Sequence, residues 1–138
     1  MDNFLGIPVT VDRSSKRYFI AEARGIWPCK RIVVSPHFLL MHPNHQRAVI
    51  AHEAGHCKNL HMEKRILALP FLFLVPAWIQ EFTHDQEMEA DEFAARAGYG
   101  LDLAEMLDRH TFGESQFYPS NATRSSRLRE ICNEMATA

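Results

Sequence analysis

The residues with the most chemistry in this chain are His52-Glu53-Ala54-Gly55-His56, an H-E-x-x-H pentapeptide. On a helix, at about 100° per residue, a four-residue step returns to nearly the same face, so both imidazoles can converge on one metal ion. Glu53 then points toward the water that the metal would hold. A third protein ligand is needed, and Glu87-Met88-Glu89-Ala90-Asp91 offers it in a later stretch that also reads as helix. There Glu87 and Asp91 share a face, which suits a carboxylate ligand followed one turn on by a carboxylate that accepts the spare ring N–H of a ligating histidine. Ligands of His, His and Glu leave one position for water, the arrangement of a catalytic zinc; structural zinc is closed by four protein ligands rich in Cys. One Zn2+ per chain is expected, with His52, His56 and Glu87 as ligands, Glu53 as general base and Asp91 behind a histidine. Such a site hydrolyses amides: the metal acidifies water and polarises the carbonyl while the carboxylate carries the proton.

The metzincin pattern does not fit, because Asn59 and Met62 stand where it needs Gly and His. His61, five residues past His56, falls about 140° round a continuous helix, so it is not expected to join the site. Asp85 and Glu89 read as a solvated helix face, and His37, His42, His45, His84 and His110 as surface or capping histidines. Arg124, Arg127 and Arg129 likewise read as a solvated helix face.

The elements that must hold the site follow from pattern. β-Favouring residues in Tyr18-Phe19-Ile20-Ala21 and in Arg31-Ile32-Val33-Val34-Ser35, with Gly25 and Pro28 between, predict paired strands. The second is expected at the exposed edge of the sheet, where it would receive a peptide by strand addition. Asn44 is a candidate N-cap for a long helix carrying the pentapeptide through Asn59 toward Arg65. Residues 81–97 hold no Gly or Pro and predict a second helix stopped by Gly98 and Gly100; further helices are expected over 101–110 and 123–135, with a loop over 111–120. The class is α+β, a small sheet with an exposed edge strand packed on a mainly helical domain.

At 138 residues, 46% hydrophobic and 23% charged, the chain reads as one globular domain over residues 1–138. A net charge of −2 with no long basic run argues against a nucleic-acid partner. Three cysteines without C-x-x-C spacing point to a reducing compartment, so the cytoplasm is expected, and Cys57 reads as a core residue. No basic n-region precedes an apolar stretch at the N-terminus, so no signal peptide is expected. Residues 66–79 form an uncharged run of fourteen, interrupted by Pro70 and Pro76, against the ~20 apolar residues that a membrane span wants. It predicts a buried or partly exposed hairpin that does not span, with peripheral membrane or partner contact as the alternative.

With these residues in place, the chain resembles the gluzincin metallopeptidases of the HtpX and CAAX prenyl protease family, in a small, minigluzincin-like form without their membrane helices. Arg31-Ile32-Val33-Val34, Ala51 before the first histidine, Lys58-Asn59-Leu60-His61 after the second and Glu87-Met88-Glu89-Ala90-Asp91-Glu92-Phe93-Ala94 carry the likeness over roughly residues 30–130. The resemblance implies a zinc endopeptidase acting on a peptide or protein substrate that lies extended beside the sheet's outer strand. Where relatives show His-Pro-Ser followed by an arginine, this chain has Tyr118-Pro119-Ser120 with Arg127. Tyr118, Tyr99, His110 and Arg127 are therefore the candidates for stabilising the oxyanion. The regulator-cleaving metallopeptidases of the ImmA and IrrE sort are the alternative within enzymes, and a zinc-holding regulatory module without turnover the alternative outside them.

Overall fold

The computed structural model describes residues 2–72, 74–110 and 118–138. Most of the expected 111–120 loop lies outside them. The architecture is α+β. Strands β1 (Asn3–Phe4), β2 (Ile7–Val11), β3 (Ala21–Arg24) and β4 (Arg31–Val34) form one sheet in the order β1-β2-β4-β3. Helices α1 (Pro43–Lys58), α2 (His61–Leu72), α3 (Pro76–Ala94), α4 (Gly100–Arg109) and α5 (Asn121–Thr137) follow.

The sheet corrects two expectations. β4 is central, paired in parallel with β2 through Val9↔Ile32 and Val11↔Val34 and antiparallel with β3 through Ala21↔Val34 and Ala23↔Ile32. The exposed edge is therefore β3, and Ile32, Val33 and Val34 are buried because strands flank them on both sides. The N-terminal β2, which sequence pattern did not flag, supplies the second partner. The strand before β4 also begins at Ala21 rather than Tyr18. Phe19 turns into the protein while Tyr18 stays exposed, and the weak β-formers Ala-Glu-Ala-Arg make the strand. Pairing with β4 and ion pairs of Glu22 with Arg17 and Arg24 outweigh intrinsic propensity here.

α1 is the central helix, in contact with β3, β4, α3 and α4. Its buried side is built of small residues, Ala48, Ala51, Ala54 and Gly55, with Ile50 between them. The helix starts two residues earlier than expected: Pro43 opens it and the His42 side chain accepts from the Asn44 N–H. It also stops sooner. Asn59 caps it, Leu60 takes a left-handed conformation (φ 58°), and α2 begins at His61. The core closes with Ile32, Val34, Leu103 and Leu128, each at most 1% exposed.

Of residues 66–79, α2 carries 66–72 and α3 carries 76–79. Pro70 does not break α2; it lies in the last turn, and the helix ends two residues later at Leu72. Pro76 starts α3. Leu67 and Phe71 on α2, Trp78 on α3 and Leu74 between the two helices are exposed. Among the described residues, no helix is long and apolar enough to cross a membrane.

Candidate metal centre

His52 and His56 lie one turn apart on α1 and face Glu87, which α3 delivers from the opposite side. The approach of α3 depends on Gly55: a Cβ there would lie 2.9 Å from Ala90 Cα and 3.0 Å from Ala90 O. With both positions small, the backbones meet closely enough for a carboxylate on α3 to reach imidazoles on α1. His52 Nε2 and His56 Nε2 are 3.2 Å apart, and they lie 3.2 Å and 3.3 Å from Glu87 Oε2 and Oε1 respectively. A tetrahedral zinc with bonds of ~2.0–2.1 Å spaces its ligand atoms by about 3.3 Å, so the donor set fits that ion in element type and spacing. These are the residues that could hold a metal among those described.

Each histidine is held from behind. His52 Nδ1 is 2.8 Å from Asp91 Oδ1, an ion-pair contact that is not aligned as a hydrogen bond. Asp91, 1% exposed, in turn accepts two hydrogen bonds of 2.8 Å from Arg124 Nε and Nη2. Arg124 thus leaves the solvated face expected of it. It lies in the first turn of α5, whose N-terminus Ser120 caps by accepting from Thr123 N–H, and it turns inward against α3. A buried carboxylate requires a cation, which is the signal that could have singled out an arginine on a late helix. His56 Nδ1 is 2.7 Å from His61 Nδ1, and His61 Nε2 is 2.8 Å from Glu89 Oε2. His61 therefore touches the site after all, because the break at Leu60 cancels the continuous-helix geometry that placed it elsewhere.

The electrostatics follow from burial and these partners. Burial opposes charge on His52, yet Asp91 and Glu87 outweigh it and raise the pKa to about 10 in the metal-free protein. Burial would likewise raise Glu87 and Asp91; the two histidines hold Glu87 well below the usual carboxylate range, and Arg124 with His52 does the same for Asp91. His56 and His61 are both lowered, mainly by burial, His61 to about 4. Glu53 is pushed up to about 7 by burial, partly offset by His52. Its Oε2 accepts the Ala23 N–H of edge strand β3 at 2.7 Å.

Around this centre runs a cleft of about 770 Å3, with His52, Glu53, His56 and Glu87 on its floor and residues 20–24 along one side. Arg124 and Tyr118 line it too. Of the four oxyanion candidates, only Tyr118 is among the lining residues. Tyr99 packs on Phe4 with ring centroids 5.9 Å apart, and Arg127 pairs with Glu130 on the outer face of α5. His110 follows α4, and its carbonyl accepts from Asn121. Two smaller expectations also change. His45 is buried rather than a surface residue, and Glu89 is engaged by His61 although half exposed. Cys57 lies in the core cluster.

Residues 8–75 match the sequence model of peptidase family M48. The match supports a metallopeptidase. It takes in β2 from its second residue, all of β3 and β4 and the His52-Glu53-xx-His56 turn, and it begins well before the stretch that carried the likeness by motif. It ends before Glu87, so the third carboxylate stands on the geometry above. Comparisons with curated proteins and with solved structures gave no match.

Proposed function

We propose that the protein is a zinc-dependent endopeptidase, a small gluzincin of the HtpX and CAAX prenyl protease kind. The observation that carries this reading is the convergence of His52 Nε2, His56 Nε2 and the Glu87 carboxylate beneath a cleft whose floor also holds Glu53. Bound zinc would supply Lewis acidity, polarising the scissile carbonyl and lowering the pKa of a water. Glu53, on the same cleft as the ligands, would accept that water's proton and pass it to the leaving amine. The base has no use in a module that only stores zinc, which favours turnover over the regulatory reading.

The substrate strand is assigned to β3, in place of β4. In an antiparallel pair, alternate residues turn both main-chain groups away from the partner strand. Ala23 does so, since its N–H meets Glu53, and Ala21 has the same parity. An extended peptide pairing with the Ala21 main-chain groups and the Ala23 carbonyl, the Ala23 N–H being held by Glu53, would run along the cleft past the metal ligands, recognised largely through its backbone. Of the donor-bearing residues that line the cleft, Tyr118 and Arg124 are our candidates for stabilising a developing oxyanion. The test is to incubate purified, zinc-loaded protein with a broad peptide library, with and without chelator, and to map the cuts. Chelator-sensitive internal cleavage is expected; no cleavage from stoichiometrically loaded protein would contradict the proposal.

A further inference from the structure

We propose that His61 and Glu89 are positioning residues for the metal ligand His56, fixing its tautomer and ring orientation through a Glu89–His61–His56 hydrogen-bond chain. The inference rests on the metallopeptidase reading above.

The chain is contiguous: 2.8 Å from Glu89 Oε2 to His61 Nε2, then 2.7 Å from His61 Nδ1 to His56 Nδ1. Only one proton fits between two nitrogens that close. If His56 presents the Nε2 lone pair to the metal, its Nδ1 must carry the hydrogen and donate it to His61. His61 Nδ1 is then the acceptor, its hydrogen sits on Nε2, and that N–H must find an acceptor of its own. Glu89 is there. One requirement, ligation through Nε2, thus specifies every proton in the chain with no conflict.

The backbone around His61 is built for this placement. Leu60, at φ 58°, reverses the chain between α1 and α2, a conformation that costs a branched-side-chain residue and must be held by its surroundings. The Gln86 side chain donates to the His61 carbonyl at 3.2 Å and accepts from Arg65 Nε at 2.5 Å, tying the first turn of α2 to α3. His61 is 0% exposed, so without it the His56 Nδ1–H would face a dry interior unpaired. Glu89 is half exposed and also lies 3.8 Å from Lys64 Nζ, so its charge is partly screened and its effect should be smaller than that of His61. The two histidine ligands are thereby held by different devices, His52 by an Asp91–Arg124 pair and His56 by a His–Glu pair.

The experiment is zinc affinity by competition with a chromophoric chelator, together with absorption spectra of the Co2+-substituted protein, neither of which reads activity. Losing an outer partner of a metal-ligating histidine typically weakens binding about 10–100-fold. His61→Leu should fall in that range and shift the Co2+ bands, His61→Gln should recover most of the affinity because an amide can both accept and donate, and Glu89→Ala should show a smaller loss, by about 3–10-fold. Glu92→Ala, which removes an exposed pair with Arg96, should match wild type. Should His61→Leu not fold, the half-exposed Glu89 variant decides alone. Wild-type zinc affinity and an unchanged Co2+ spectrum in Glu89→Ala, or equal loss in Glu92→Ala, would overturn the chain. A wild-type protein that takes up no zinc would instead overturn the metal reading beneath it.

Discussion

Arg124 grips Asp91 through two parallel hydrogen bonds of 2.8 Å, and Asp91 in turn lies 2.8 Å from His52 Nδ1. The last helix of the chain is therefore coupled to the first imidazole of the H-E-x-x-H turn. A bidentate guanidinium fixes the carboxylate in plane as well as balancing its charge.

Removing that cation should be felt in both fold and metal. Arg124→Ala leaves Asp91 buried beside Glu87 without its main partner, a kind of break that costs about 3–5 kcal/mol when a buried pair loses one member. Thermal melts of metal-free protein should show a large drop in Tm, with Arg124→Lys intermediate because an ammonium cannot reproduce the fork. An unchanged Tm in Arg124→Ala would show that the pair does not hold α5 to α3.

Gly55 should be intolerant of even one methyl group. The added Cβ of Gly55→Ala would meet Ala90 backbone atoms at 2.9–3.0 Å, so α1 and α3 must separate. Overpacking of this kind costs about 1–3 kcal/mol, and the shift moves Glu87 away from both histidines. Reduced stability and weaker zinc binding are expected together in a melt and a chelator titration. Wild-type values for both would contradict the assignment of Gly55 as the spacer.

Zinc uptake should release protons. In the metal-free protein the carboxylates of Asp91 and Glu87 keep His52 protonated up to a pKa of about 10, and ligation requires the neutral ring. At pH 7.5, therefore, binding displaces about one proton from this residue, and apparent affinity rises with pH until His52 titrates. The sign is fixed: a ligand whose metal-free pKa lies above the working pH competes with protons for the metal. Calorimetry in buffers of different ionisation enthalpy measures the number directly, and a value near zero would contradict a charged His52.

What could be read in the sequence was what depends on local periodicity. Four-residue spacing on a helix is enough to bring His52 and His56 to one face, and Glu87 and Asp91 to another; the close meeting of Gly55 and Ala90 then brings the two faces together. Contacts that cross the chain were not legible. Arg124 looks like any surface arginine until α5 is docked, and His61 was misplaced because Leu60 leaves helical geometry without a glycine to announce it. The sheet order failed for a related reason. Parallel pairing of β2 with β4 joins residues more than twenty apart, so nothing local to residues 31–35 says whether that strand is central or at the edge.

Glu53→Gln, assayed beside wild type, separates water activation by Glu53 from metal binding by the other residues. Glu53 is not among the ligating residues, and an amide retains an acceptor for the Ala23 N–H, so the variant should fold and hold one zinc. Its cleavage rate on a peptide identified for the wild type should fall by ~10²–10⁴-fold, the usual contribution of a general base. A zinc-loaded Gln variant that cleaves at the wild-type rate would rule out Glu53 as the general base.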